Sequence, residues 1–318
     1  MVREMKDIRK DAIFGVVVGD ALGLPVQFAS REERDRDPVT GMRGHGVFNM
    51  PAGSWSDDSS LTLAALANLK YGYYPDDIMH NFVLWLFEGR FTPFGQAYDI
   101  GGTCMNAIER YAMAKRPDYR KCGDTAEDCN GNGSLMRIMP FCLYCYKEMK
   151  EGRMDEERAV QIIREGSAMT HAHERSQIAC VLYFYLAKAI IDGTGTLNER
   201  LQDGITEGFE KLEKYGCIEE ELEYYYRLRD LTWFKDVPRD EISGSGYVLH
   251  ALEASVWCLL NTDTYKDCEL AAGNLGLDTD TTAAIAGGLA GLFYGRENIP
   301  EDWMEVIQRR EWIEGLCE

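Results

Sequence analysis

The chain has 318 residues, 45% of them hydrophobic, and a formal net charge of −19 at pH 7. This size suits one large domain or two small ones with a substantial core, and the excess of acids argues against general binding to nucleic-acid phosphates. No apolar run reaches about 18 residues and the N-terminal segment is charged, so we expect no membrane span and no signal peptide. A cytoplasmic protein, with its ten cysteines reduced, is the resulting expectation.

A stripe of glycines marks the first predicted helix. Gly15, Gly19 and Gly23 are four residues apart, so they share one face of a helix. Each glycine costs about 1 kcal/mol of helix propensity relative to alanine, so the stripe needs a reason. Close contact with another helix is one interpretation. Close approach of the backbone to a ligand is another, and the two can coexist.

The first acidic cluster follows at Ser56, Asp57 and Asp58, at the head of an apolar run with helical spacing. Ser and Asp are common N-cap residues, so capping alone explains one of them. Two adjacent aspartates exceed what a cap needs, and a helix N-terminus favours their ionised form. The cluster therefore indicates either a cap or ligands for a hard divalent cation.

Apolar residues recur at helical spacing through the rest of the chain, whereas segments of period two are scarce. Three such runs are Ile78, Phe82, Trp85 and Leu86; Ile178, Val181, Leu182, Tyr185, Leu186 and Ala189; and Val248, Leu252, Ser255, Val256 and Leu259. We therefore predict an all-α fold, a single domain over residues 1–318 of buried helices joined by Gly-rich loops. The more polar stretch 192–240 is a candidate peripheral helical insertion.

Gly-rich loops offer candidate walls for a pocket. The glycines in the loop Asn130–Ser134 free backbone N–H groups for a phosphate, although a plain turn is the simpler interpretation. Tyr247 follows the Gly-rich segment 243–246, where it can stack on a base or simply pack. Asp99 lies in a flexible turn, as an Asx-turn residue or a general base. His171 lacks soft ligands nearby, which favours capping or substrate hydrogen bonding over zinc.

The second acidic cluster, Asp278, Asp280 and Thr281, opens an Ala-rich run. An EF-hand loop is excluded because Ala283 and Leu289 stand where Gly and Glu are required. Both clusters combine a hydroxyl with two acids at the start of a helix. Together they supply all-oxygen ligands that suit two Mg²⁺ or Mn²⁺ ions with bridging carboxylates, as in two-metal hydrolases.

Seven motifs in this chain resemble those of the ADP-ribosylglycohydrolases, the family that includes dinitrogenase reductase-activating glycohydrolase. They occur in the family's order and span residues 13 to 295. In chain order the motifs are GVVVGDALGLPVQF, GSWSDDSSLT, YDIGGT, GNGSLMRIMP, TH, SGSGYV and LDTDTTAAIAGGLAG. The resemblance implies an orthogonal all-α domain of the ADP-ribosylglycohydrolase type with a binuclear Mg²⁺ or Mn²⁺ centre in a central cleft.

The resemblance also implies roles for individual residues. The metal ligands carried over are Ser56, Asp57, Asp58, Asp278, Asp280 and Thr281. The positions expected to hold ADP-ribose are Gln27, Gly131, Asn132, Gly133, Ser134, His171 and Tyr247. Asp99 matches the acid proposed as catalytic in some members, and Asp58 and Asp278 are the other candidates. The expected substrate is an ADP-ribosylated protein or an ADP-ribose derivative, handled by a monomer that releases ADP-ribose.

Two positions depart from the family pattern. Many members have Glu where this chain has Gln27, and glutamine cannot act as a base. Either Asp99 or an aspartate at the metals then serves as the base, or the activity is altered. The alternative function is therefore a catalytically altered ADP-ribose-binding or structural homologue. Leu277 replaces a glycine that is frequent before the second cluster, which is a milder departure.

Overall fold

The computed structural model describes residues 4–318, and within that range it contains sixteen α-helices and no β-strand. The predicted all-α class is confirmed. The helices are α1 (Met5–Gly23), α2 (Arg31–Arg36), α3 (Asp57–Leu69), α4 (Pro75–Glu88), α5 (Gly102–Met113), α6 (Met139–Lys150), α7 (Glu156–Ala168), α8 (Glu174–Asp192), α9 (Leu197–Tyr215), α10 (Glu219–Leu222), α11 (Leu231–Lys235), α12 (Val248–Leu260), α13 (Tyr265–Gly273), α14 (Thr279–Tyr294), α15 (Glu301–Val306) and α16 (Arg310–Cys317).

Helices α1 and α14 form the closely packed centre of the molecule. The glycine stripe makes this possible, because a Cβ on Gly15 would lie 2.1 Å from the Gly287 carbonyl oxygen. At Gly19 it would lie 2.3 Å from the carbonyl oxygen of Ala283, and at Gly23 2.4 Å from the amide nitrogen of Asp280. The stripe thus serves helix contact, and that contact brings the end of α1 against the start of α14.

The other helices pack around this pair. Helices α12 and α13 contact α14, α3 contacts α1 and α6, and α8 lies between α7 and α9. The stretch 192–240, predicted as a peripheral helical insertion, forms α9, α10 and α11, and α9 packs against α8. None of the helices in residues 4–318 has the length and hydropathy required to cross a bilayer.

Local capping explains where several helices begin. Ser56 caps α3, with its hydroxyl accepting from the Asp58 N–H at 3.3 Å. His173 caps α8 through Nδ1, and Thr196 with Glu199 forms a capping box at α9. These side chains accept hydrogen bonds from N–H groups that have no partner within the helix.

Candidate active site

The two acidic clusters meet in the fold, where the N-termini of α3 and α14 lie beside the end of α1. One carboxylate oxygen from each of Asp20, Asp58 and Asp280 lies within 4.8 Å of the others, and all three residues are buried. The Thr281 hydroxyl of the second cluster donates to Asp58 Oδ2 of the first at 3.4 Å. Two sequence segments about 220 residues apart therefore build one acidic centre.

Asp20 is a member of this centre that the sequence reasoning missed. It accepts hydrogen bonds from the backbone N–H groups of Ser56 and Ser59, each at 3.0 Å, and from the Ser59 hydroxyl at 2.6 Å. It thus caps the first turn of α3 from a neighbouring helix. The available signal was an aspartate inside the apolar, glycine-striped run of α1, where a carboxylate requires partners.

The acidic centre has more buried carboxylate oxygens than hydrogen-bond donors to pair with them. Asp58 Oδ1 and both carboxylate oxygens of Asp280 are buried without a hydrogen-bond partner. Burial raises the pKa of Asp20 to about 6, although its hydrogen bonds from Ser59 and Ser56 oppose the shift. Burial, then the neighbouring carboxylates, raise the pKa values of Asp57, Asp58 and Asp280 well above the usual range. Buried carboxylate oxygens that converge without hydrogen-bond donors suit a hard cation, whose charge would favour their ionised form.

Asp278 lies at the edge of the centre as the N-terminal residue before α14. Its Oδ2 accepts from Asn132 Nδ2 at 2.6 Å. Burial raises the pKa of Asp278, and the hydrogen bond from Asn132 opposes that rise. Asn132, predicted to contact substrate, therefore also holds a predicted metal ligand in place.

A cleft of about 360 Å³ opens above the acidic centre. The predicted site residues that line it are Gln27, Asp57, Asp99, Gly131, Asn132, Gly133, His171, Asp278 and Thr281. Ser56, Asp58 and Asp280 lie buried beneath it. Among the described residues lining the cleft there is no Lys or Arg. Negative charge on a ligand would therefore meet backbone N–H groups or cations rather than basic side chains.

Asp99 and Gln27 form a hydrogen-bonded pair in this cleft. Gln27 Nε2 donates to Asp99 Oδ2 at 2.8 Å, while Gln27 Oε1 is buried without a partner. Burial raises the pKa of Asp99, and the hydrogen bond that it accepts from Gln27 opposes the shift. Asp99 has a φ of +55°, a left-handed conformation that aspartate tolerates better than most residues. The residue that departs from the family pattern thus contacts the predicted base directly.

Leu277 occupies a backbone conformation that explains the glycine frequent there. Its φ is +65°, in the left-handed region where a Cβ is disfavoured. Two hydrogen bonds fix the segment: Phe28 N–H donates to the Leu277 carbonyl at 2.6 Å, and Leu277 N–H donates to the Ala29 carbonyl at 2.7 Å. Leucine at this position therefore carries strain at the edge of the site.

The two Gly-rich loops join at the cleft wall. Asn132 N–H donates to the Gly246 carbonyl at 2.9 Å, and Val248 N–H donates to the Asn130 carbonyl at 3.0 Å. The Tyr247 hydroxyl accepts from Arg175 Nη1 at 3.0 Å. Ser134 is fully buried and its hydroxyl accepts from Ser167, so the Ser134 side chain does not line the cleft.

His171 and His173 have separate roles. His171 is buried and lines the cleft, with Nδ1 placed 2.8 Å from the Thr170 hydroxyl oxygen. His173 Nδ1 accepts from the Arg175 N–H at 3.2 Å at the start of α8. One histidine therefore faces the cleft and the other caps a helix.

Comparison with known proteins matches this architecture. A family model described as ADP-ribosylglycohydrolase covers residues 3–318, which confirms the resemblance drawn from the seven motifs. The chain is 29% identical to the ADP-ribosylarginine hydrolase Tri1 of Serratia proteamaculans, with 99% of this chain and 79% of the relative covered. It is 27% identical to the ADP-ribosyl-(dinitrogen reductase) glycohydrolase of Rhodospirillum rubrum, with 94% of this chain and 90% of the relative covered. A solved structure of an ADP-ribosylglycohydrolase-related protein complex aligns with a TM-score of 0.75 at 29% identity, covering 99% of this chain and 96% of that one.

Proposed function

The chain belongs to the ADP-ribosylglycohydrolase family and is a glycohydrolase, and we propose that it removes ADP-ribose from modified arginine side chains in a reaction that requires divalent cations. The observation that carries this proposal is the acidic centre beneath the cleft, with its unpartnered carboxylate oxygens. The choice of arginine rests on the relative named as an ADP-ribosylarginine hydrolase. Serine and other acceptors are tested against it below.

The donor set fits hard cations. Carboxylates and hydroxyls are the ligands that Mg²⁺ and Mn²⁺ prefer, and Asp58 Oδ1 and both carboxylate oxygens of Asp280 have no hydrogen-bond partner. We assign the proposed ligands to Ser56, Asp57, Asp58, Asp278, Asp280 and Thr281. When bound, two such cations supply positive charge that grips ribose hydroxyls and activates water. Asp20 contributes negative charge beside them and holds the first turn of α3 in position.

Backbone N–H groups are proposed to hold the diphosphate. Helix α5 begins at Gly102 without a side-chain cap, so its first N–H groups are available for an anion. A Cβ built on Gly101 or Gly102 would meet nothing within 4 Å, so this helix start borders open space. The absence of Lys and Arg from the described cleft lining is consistent with an anion held in this way.

Asp99 is proposed as the general base. Its Oδ2 accepts from Gln27, which leaves Oδ1 to take a proton from the attacking water. The water oxygen forms a bond to the anomeric carbon as the bond to the arginine nitrogen breaks, and the proton that Asp99 accepted passes to the departing guanidine nitrogen. The anomeric carbon develops positive charge along this path. Asp58 and Asp278 are the other candidate bases, but each is also a proposed ligand.

The test measures release of free ADP-ribose from an arginine-modified peptide. We expect EDTA to abolish release, Mg²⁺ or Mn²⁺ to restore it, and Asp57→Asn or Asp278→Asn to reduce it by at least about 100-fold, the order found when a main catalytic interaction is lost. Asp203→Asn, an exposed change on α9, is the matched control. Undiminished release in EDTA or in both site variants would contradict the scheme. Faster release from a serine-modified peptide would overturn the assignment of arginine.

Gln27 supports a second candidate function, an ADP-ribose-binding homologue with altered catalysis. Its amide occupies the position of a frequent carboxylate and donates to Asp99. Calorimetry with ADP-ribose beside the turnover assay separates the two functions. Binding without turnover, together with a gain of activity in Gln27→Glu, would favour this candidate. Turnover by the unmodified sequence would exclude it.

A further inference from the structure

A buried guanidinium lies directly behind the loop that ends at Ser134. Arg137 is completely buried, and its guanidinium donates to uncharged groups. The acceptors are the carbonyl oxygens of Gly133 and Gly166, the latter at 3.1 Å, and the Thr170 hydroxyl at 2.9 Å. Burying a positive charge without a carboxylate partner is costly, so this arrangement requires an explanation beyond packing.

The Thr170 hydroxyl links Arg137 to His171, because its oxygen contacts both side chains. Because a guanidinium has donors and no acceptor, Arg137 Nη2 must donate to Thr170 Oγ1. The hydroxyl has a single proton, and His171 Nδ1 lies 2.8 Å away. The Cys104 thiol also contacts Thr170, but sulfur is a weak acceptor. His171 Nδ1 is thus the strongest acceptor in reach of this proton, and an Nδ1 that accepts it is unprotonated.

The remaining proton of His171 is then on Nε2. Burial, followed by the charge of Arg137, lowers the pKa of His171 to about 3, so the imidazole is neutral near pH 7. Nε2 faces the glycine loop, because Cβ atoms built on Gly131 and Gly133 would lie 3.6 and 3.5 Å from it. Within residues 4–318, no hydrogen bond is made by Nε2, and His171 lines the cleft. The unused donor therefore points at the space for a ligand.

We propose that Arg137, acting through Thr170, is a positioning residue that fixes His171 as an Nε2–H donor to an acceptor oxygen of bound ADP-ribose. The same guanidinium holds the Gly133 carbonyl, so the loop and the imidazole are set by one buried group. The identity of the ligand rests on the function proposed above. The tautomer of His171 rests on the hydrogen bonds alone.

The first measurement is the tautomer of His171 in the free protein. Nitrogen-15 NMR of the histidine rings distinguishes a protonated ring nitrogen from an unprotonated one, and His171→Gln identifies the signal. We expect a protonated Nε2 and an unprotonated Nδ1 throughout the neutral range. A protonated Nδ1 would overturn the proposal, and so would an imidazolium at pH 7.

The second measurement is ADP-ribose affinity by calorimetry in Thr170→Val and Thr170→Ser. Valine removes the hydroxyl, and we expect affinity to fall about tenfold, the order for one lost hydrogen bond, with a changed Nδ1 resonance. Serine keeps the hydroxyl and should restore both. Thr262→Val, at the far end of α12 where the hydroxyl donates to the Cys258 carbonyl, is the matched control. Unchanged affinity and Nδ1 resonance in Thr170→Val would refute the relay.

Failure of the proposed function is recognised separately. If the unmodified protein does not bind ADP-ribose, the assigned ligand is wrong, while the NMR spectrum of the free protein still decides the tautomer. If it binds ADP-ribose and Nδ1 is protonated, the relay is wrong while the assigned ligand stands.

Discussion

Replacing Asp280 by Asn should stabilise the metal-free protein at alkaline pH. Asp280 is fully buried, and one of its oxygens lies within 4.8 Å of oxygens from Asp20 and Asp58. At an effective dielectric constant of about 20, two ionised carboxylates 4.8 Å apart repel each other by about 3 kcal/mol. The substitution removes two of the three repulsions. Protonation already relieves part of this energy, so we expect a gain of about 2 to 3 kcal/mol at pH 8 in EDTA.

The sign of the pH dependence follows from the raised pKa values. Asp20 has a folded pKa of about 6 against an ordinary value of 3.8, so the folded state binds more protons than the unfolded state between these values. Stability from this group is therefore complete below about pH 4 and is lost as the pH rises through about 6. Because burial and the neighbouring carboxylates raise the pKa of Asp280, a falling pH favours its neutral form, so the stability difference between Asp280→Asn and the unmodified protein should be smaller at pH 5 than at pH 8.

The assay is urea unfolding of the unmodified protein, Asp280→Asn and the exposed control Asp203→Asn, at pH 5 and pH 8. Each is measured in EDTA and in excess Mg²⁺. Mg²⁺ should stabilise the unmodified protein at pH 8 by binding the folded state, and should leave Asp280→Asn nearly unchanged. A lower stability of Asp280→Asn than of the unmodified protein at pH 8 in EDTA would refute the predicted repulsion, and so would an equal response of both proteins to Mg²⁺.

Three further predictions concern residues around the centre. Leu277→Gly should raise the free energy of unfolding in urea by about 1 kcal/mol because it removes a Cβ from a left-handed backbone conformation. Leu277→Ala keeps the Cβ and should not stabilise the protein. An equal change in the free energy of unfolding for both variants would contradict this explanation. Gln27→Glu should raise the pKa of Asp99, because it adds a like charge and removes a hydrogen-bond donor. The acid limb of the pH profile of kcat/KM should therefore move to higher pH. An acid limb at the same pH in both proteins would show that Asp99 is not the base. Glu253 is buried, and its Oε2 lies 2.9 Å from Arg227 Nη1. Burial raises the pKa of Glu253 to about 7. The contribution of this carboxyl to folding stability is lost as the pH rises from about 4.5 to 7, so Glu253→Gln should remove up to about 3 kcal/mol from the pH dependence of the free energy of unfolding. The same pH dependence in Glu253→Gln and the unmodified protein would show that the carboxyl is already ionised.

The parts of the site that sequence could predict are those with a local pattern. Ser56 and the paired aspartates after it open a helix, and Asp278 with Asp280 opens another, so capping and charge at helix starts are visible in a few residues of sequence. The all-α class follows similarly from apolar spacing, and the structure contains α4, α8 and α12 over the three runs identified. These predictions depend on neighbours along the chain.

The parts that sequence could not predict depend on neighbours in space. Asp20 joins the acidic centre only because the glycine stripe lets α1 approach α14. Arg137 lies in a recognised motif, but its partner Thr170 comes from another segment, so no local spacing indicates the link to His171. The meaning of Leu277 likewise required its φ of +65°. Each of these facts is set by the packing of helices rather than by composition.

We propose that the acidic centre binds divalent cations where the two clusters meet. The most direct test is an anomalous difference map from crystals of this protein grown with Mn²⁺. We expect two peaks within coordination distance of carboxylate oxygens from Asp57, Asp58, Asp278 and Asp280. Substitution of one of these ligands at a time should abolish the peak that it contacts. Crystals that contain Mn²⁺ only at other positions, or none at this centre, would contradict the claim.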